Sequence, residues 1–225
     1  MDNKQHLHRV RVWDLPTRLF HWTLALGVIG LVVSGLLGGN AMVWHFRFGY
    51  TVLSLLLFRV TWGLVGGRWS RFSAFIYAPQ SVINYLQGRG NPEHAVGHSP
   101  IGAGSVFALL GILLAQVSTG LLSDDEIAAS GPLTRFVSNA TVSLATNYHK
   151  NIGKWLLLTL VALHIAAIAF YTYRKHNLVN AMLHGDKDLV VEVPGSRDDA
   201  WSRAGAVLVI VLCATFAAWV ASLAV

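Results

Sequence analysis

Charge is what this sequence has least of. Asp, Glu, Lys and Arg make up 12% of its 225 residues, against roughly 25% in an average soluble domain. A water-soluble domain of this size could not cover its surface with so few. Apolar residues reach 54%. That excludes a disordered chain, which needs low hydrophobicity and high net charge. Cysteine is nearly absent, with Cys213 alone in the chain. One cysteine excludes a disulfide scaffold, a Cys-x-x-Cys-His haem attachment and a cysteine-held iron–sulfur cluster. The net charge of +6 does not gather into a compact basic stripe of the kind that grips phosphates, so no nucleic-acid partner is expected. The apolar surplus must face lipid, and an integral membrane protein is the reading that follows.

Five apolar runs are long enough for a helix to cross a bilayer, which takes about 20 residues: Leu19–Leu37, His45–Val65, Gly102–Leu122, Ile152–Tyr173 and Ala204–Val225. None shows the alternation of a membrane strand, so the fold class expected is all-α. The first run is too long for a cleaved signal peptide and carries a histidine. A short interfacial helix is expected at Pro79–Leu86, and no convincing repeat or low-complexity tract is seen. Lys4, Arg9, Arg11 and Arg18, then Arg68, Arg71 and Arg89, then Arg174, Lys175, Lys187, Arg197 and Arg203 fall on one side if the spans alternate. The other side holds Arg47, Arg135, Lys150 and Lys154. The positive-inside rule then puts the N-terminus in the cytoplasm and the C-terminus outside.

Ionisable residues inside spans are costly and mark functional sites. The predicted spans contain no Asp or Glu, but four of the ten histidines lie in them or within three residues of their starts: His21, His45, His149 and His164. His149 and His164 are 15 residues apart on one predicted helix, about 22 Å along its axis and about 60° in azimuth. The four sort by depth into His21 with His164 on the inner side and His45 with His149 on the outer side. Two facing imidazoles from different helices are what a b-type haem needs. Zinc would want three or four ligands at one depth, and a proton relay usually recruits carboxylates. Arg59 reaches the inner depth as either a propionate partner or a snorkelling cation. Gly27, Gly30, Gly35, Gly111 and Gly120 admit close approach of a haem or of a neighbouring helix. His6, His8, His94, His98, His176 and His184 read as solvated loop residues.

The segment Arg11-Val-Trp-Asp-Leu-Pro-Thr-Arg-Leu-Phe-His21-Trp22 resembles the opening of the prokaryotic cytochrome b561 family, which includes the cytochrome b subunits of nickel–iron hydrogenases. The resemblance continues through His45 with Gly49-Tyr50, Arg59-Val-Thr-Trp62-Gly63, Arg71-Phe72-Ser73-x-Phe75 and Gly97-His98-Ser-Pro100-x-Gly102. It then takes in His149, His164 and Asn177-Leu-Val-x-Ala-Met182-x-x-Gly185-x-Lys187. It implies an integral membrane four-helix bundle holding two b haems, with His21, His45, His149 and His164 as axial ligands. It also implies electron passage between a quinone pool and a periplasmic redox partner, either a hydrogenase-like subunit or a cytochrome c, in a bacterial inner membrane. Residues 1–187 would form the dihaem domain, and residues 188–225 a linker and an additional fifth span. Lys150 departs from the family, where Glu often follows the helix-four histidine. Asp14, Arg18 and His98 are candidates for a quinone site, with structural contacts of the N-terminal arm as the alternative. Asp124-Asp125-Glu126 would either steer a basic partner or form a solvated loop. Two other functions stay open: a self-contained quinone or superoxide oxidoreductase, and a haem-free transporter with a histidine-lined path. So does oligomer formation.

Overall fold

The computed structural model describes residues 7–127, 129–175 and 177–224. Lys4, His6, His176 and Val225, named above, lie outside the described residues. The chain forms β1 (His8–Arg11), α1 (Leu15–Leu37), α2 (Met42–Val65), α3 (Pro79–Leu86) and α4 (Pro100–Leu121). It continues through α5 (Asn139–Asn147), a π-helical turn (Tyr148–Gly153), α6 (Lys154–Tyr173), α7 (Leu178–His184), β2 (Asp186–Leu189) and α8 (Ala200–Ala221). Among the described residues, five helical stretches are long and apolar enough to cross a membrane, and they correspond to the five runs expected. The interfacial helix α3 forms at the bounds anticipated, with Pro79 in its first turn, where a missing N–H costs nothing.

Two expectations need correction. The fourth long helix begins at Asn139, not Ile152. Its first turns, capped by the Ser138 side chain on Thr141 N–H, are too polar to register as a span. His149 therefore lies inside this helix, within the π turn, and a constant 100° step per residue does not hold through that turn. The second correction is a two-stranded antiparallel ribbon, pairing His8 with Leu189 and Arg11 with Asp186. Its strands are charged and four residues long, so they leave no apolar alternation to read.

The chain divides into two compact units. The first comprises Met1–Leu19, Val60–Phe107 and His164–Val207. It gathers the three connecting segments that carry most of the Lys and Arg. Polar fastening dominates here. Asp14 is fully buried, and a buried carboxylate needs hydrogen-bond donors to persist. It accepts from Thr17 N–H at 2.8 Å, Ser70 Oγ at 2.9 Å, Gly67 N–H at 3.2 Å and Trp62 Nε1 at 3.3 Å. The bond to Thr17 caps α1. A Cβ on Gly67 would overlap the same carboxylate. Arg11 pairs with Asp186 at 2.6 Å and Asp198 at 3.2 Å, while Ser196 Oγ donates to Val12 O at 2.8 Å. Lys187 Nζ donates to Val96 O at 2.8 Å, and burial pulls its ammonium down to a pKa of about 8. Around these bonds Val10, Val12, Trp13, Val96 and Ala181 form a small apolar core.

The second unit comprises Phe20–Arg59, Ala108–Leu163 and Leu208–Val225. Its centre is apolar. Val52 and Leu56 of α2, Leu113 of α4 and Leu157 of α6 are buried together, with Leu24, Val28 and Leu31 of α1 against them. That is a four-helix bundle. The part of α8 within this unit adds Ala217 and Val220 to Leu53, with Val117 and Leu121 alongside. Leu208, Val211, Leu212, Phe216 and Trp219 on α8 stay exposed, as a lipid-facing surface requires. Gly27 and Gly30 serve helix contact: a Cβ would stand 2.9 Å from Val52 Cγ2 and 2.7 Å from the Phe48 ring, respectively.

Candidate metal centre

Two of the four predicted ligands meet inside the second unit. His45 comes from the first turn of α2 and His149 from the π turn before α6. Their ring centroids are 6.1 Å apart and their planes cross at 89°. Both rings are anchored in the same way, through Nδ1 to a main-chain carbonyl of another helix. For His45 the acceptor is Leu31 O of α1 at 3.0 Å; for His149 it is Gln116 O of α4 at 2.9 Å. A carbonyl only accepts, so each Nδ1 carries the proton and each Nε2 keeps its lone pair. This is the arrangement of a metal-ligating imidazole, whose second nitrogen is held by an outer partner that fixes the tautomer and the ring plane.

The π turn has a local cause and a local consequence. An i→i+5 turn frees carbonyls from the regular ladder, and the Gln116 side chain donates from Nε2 to His149 O at 3.2 Å. Gln116 thus grips His149 twice, by its carbonyl at the ring and by its amide at the backbone. Gly153 closes the turn against the same residue, where a Cβ would overlap the Gln116 amide. Gly35 and Gly120 give the two rings room. A Cβ on Gly35 would lie 3.1 Å from His45 Cε1, and one on Gly120 would lie 2.9 Å from His149 Cε1.

Among the described residues, no group of three or more His, Cys, Asp or Glu could hold a metal ion. Two imidazoles cannot complete a structural zinc site, but they would hold a haem iron, which would supply one-electron chemistry there. The donor set and its tautomers fit a b-type haem.

The prokaryotic cytochrome b561 family model matches residues 12–185. The chain belongs to that family. Its curated relatives include proteins named "Probable Ni/Fe-hydrogenase B-type cytochrome subunit". The Cupriavidus necator protein is 25% identical over 207 residues, covering 77% of this chain and 85% of the relative. The Rhodobacter capsulatus protein is 25% identical over 214 residues, covering 79% and 81%. A protein of Escherichia coli strain K12, named as the hydrogenase 1 counterpart, is 24% identical over 187 residues, covering 68% and 80%.

The remaining predicted residues of this multi-pass membrane b-type cytochrome sit as follows. His21, on α1, has its ring edge-on to Trp22 at 5.1 Å, and His164 lies on α6. They fall one in each unit, so their pairing stays a reading of the sequence. Arg59 is 4% exposed on α2, and its side chain is held inside rather than extended to the surface. The quinone-site candidates are all engaged by the first unit. Asp14 is the hub described above, Arg18 Nη1 donates to Leu183 O at 2.5 Å, and the His98 ring lies 4.7 Å from Trp13 and 4.4 Å from Phe75. Asp124 and Asp125 turn carboxylate oxygens onto the N–H groups of Glu126, Ile127 and Ala129, so they shape their own loop.

The functional groups that sequence reasoning missed are the carbonyls of Leu31 and Gln116, the Gln116 amide and the Gly153 seat. Backbone carbonyls have no residue signature. Gly35 and Gly120 were noticed, but as spacers for helices or haem, not for the ligand rings.

Proposed function

We propose that this chain is the membrane electron-transfer subunit of a hydrogenase-type redox system, carrying two b haems. His45 and His149 hold one haem, and His21 and His164 hold the other. Electrons pass between a quinone pool and a periplasmic redox partner. The observation that carries the reading is the His45–His149 pair, with both Nδ1 atoms tied to carbonyls and both Nε2 atoms left as ligands. The names of the relatives support a hydrogenase partner. The Lys and Arg distribution supports a cytoplasmic N-terminus and a periplasmic C-terminus in the bacterial inner membrane.

A bound haem supplies reversible one-electron chemistry at iron. The chain's part is to hold and tune. The Leu31 and Gln116 carbonyls draw on the Nδ1 protons and make the two imidazoles stronger donors. The apolar residues of the bundle exclude water and lower the local dielectric, which strengthens those bonds. Arg59, a buried cation on α2, offers charge compensation for a haem propionate. Asp14 contributes by fixing the start of α1, two turns before His21.

A visible spectrum of the purified protein tests the proposal. A reduced b-type band with two haems per chain is expected, falling to one in His45→Ala and in His21→Ala. A colourless protein would favour a histidine-lined transporter, and two haems retained in His45→Ala would defeat the ligand assignment.

A further inference from the structure

The two carbonyls that hold the ligand rings are presented by the same local pattern. In α1 the acceptor Leu31 is followed at the third and fourth positions by Ser34 and Gly35. In α4 the acceptor Gln116 is followed by Thr119 and Gly120. The next two residues are Leu-Leu in both segments, a short repeat that sequence reading alone passed over.

The atoms repeat as well. Ser34 Oγ donates to Gly30 O at 2.6 Å and to Leu31 O at 3.3 Å. Thr119 Oγ1 donates to Ala115 O at 2.6 Å and to Gln116 O at 3.2 Å. In a regular helix the carbonyl of residue i is bonded to the N–H of residue i+4 and flanked by that residue's side chain. Glycine at i+4 removes the flank, and a hydroxyl bonded back to i−4 bends the helix there. Together they open one carbonyl sideways to a donor from a neighbouring helix.

We infer that Ser34-Gly35 and Thr119-Gly120 are paired positioning elements that each expose one helix carbonyl to an axial histidine and so set the potential of the haem between them. This rests on the haem reading of His45 and His149. The two elements differ in one respect. Ser34 Oγ also lies 3.3 Å from His45 Nδ1. Its one proton is turned to Gly30 O and Leu31 O, so it meets that nitrogen as a second acceptor. Among the described residues, the Thr119 hydroxyl bonds to Ala115 O and Gln116 O and not to His149. The His45 proton is therefore shared between two acceptors, and the His149 proton goes to one. A neutral imidazole whose N–H bond is drawn out in this way is a more basic ligand, and it favours the oxidised iron.

The test is a potentiometric titration of the purified protein, followed in the visible band, for Gly35→Ala, Gly120→Ala, Ser34→Ala, Ser34→Thr and the control Gly205→Ala. Gly205 lies on α8, where a Cβ meets nothing within 4 Å. Gly35→Ala and Gly120→Ala should each shift one midpoint upward, that of the haem lost in His45→Ala, and leave the other midpoint in place. Ser34→Ala should shift the same midpoint upward by less, Ser34→Thr should restore it, and Gly205→Ala should shift neither. Midpoints unchanged in both glycine variants, or equal shifts of both haems, would overturn the inference. If the glycine variants do not fold, the Ser34 pair decides it by the same criterion. If His45→Ala loses no haem, the haem reading itself has failed. If it loses one while every variant titrates as the parent, only the positioning role has failed.

Discussion

The two units of this cytochrome are built by opposite means. The first is fastened by directed polar contacts: a buried carboxylate with several donors, a buried lysine on carbonyls, and arginine–aspartate pairs across a strand ribbon. The second has an apolar bundle at its centre, and two of its histidines face each other there. In a bilayer, apolar packing gives no hydrophobic preference of helix for helix over lipid. Such a bundle gains selectivity from close fit at glycines and from the occasional polar bond. The contrast separates two kinds of polar residue. Those of the first unit bond mainly to one another, as around Asp14. In the second, His45 and His149 are each anchored through one ring nitrogen, Nδ1, on a main-chain carbonyl.

The largest effect should come from removing the hub of the first unit. Asp14→Ala strands several buried donors, each charge-assisted bond contributing about 1.5–3 kcal/mol. The apparent melting temperature in detergent should fall by more than for any single apolar truncation in the second unit. An unchanged melting temperature would show that the first unit is not held by this carboxylate. Next is Gly153→Ala, which drives a methyl group into the Gln116 amide. Overpacking of this kind costs about 1–3 kcal/mol, and its effect should be local: reduced haem occupancy, with far-ultraviolet helicity retained. Full occupancy would mean that the π turn does not seat His149.

A smaller effect concerns Lys187, whose folded pKa of about 8 lies below its ordinary 10.5. Between those values the unfolded chain still binds a proton that the folded chain has released. Stability should therefore rise with pH across that window, and the contribution is lost as pH falls through about 8. Lys187→Met should flatten this part of the stability–pH curve, and an unaltered slope would remove the lysine from the account. The smallest effect is at the acidic loop. Two of its carboxylates bond within the loop, so Glu126→Gln should slow association with a basic soluble cytochrome c by no more than a few fold, and only at low salt. Stopped-flow rates over a salt series check this; a large, salt-independent loss would point to a specific contact instead.

Much of this architecture was legible because hydropathy and punctuation record it directly. The five spans follow from apolar runs, and α3 follows from Pro79 and the polar segment around it. His45 and His149 were legible as a pair because histidines are conspicuous in spans without carboxylates. The early start of the fourth long helix was not legible, since Asn139–Asn147 carries a loop-like composition. The strand ribbon was hidden for a similar reason, its strands being short and charged. The true anchors of the ligand rings are main-chain atoms, visible in sequence only through the Ser-Gly and Thr-Gly steps that expose them.

The central claim is that His45 and His149 serve one and the same haem. Haem content per chain in His45→Ala, His149→Ala and the double variant measures this directly. The account predicts the same loss of one haem in all three, with the double variant no worse than either single one. Loss of two haems in the double variant, or of none in either single variant, would contradict it.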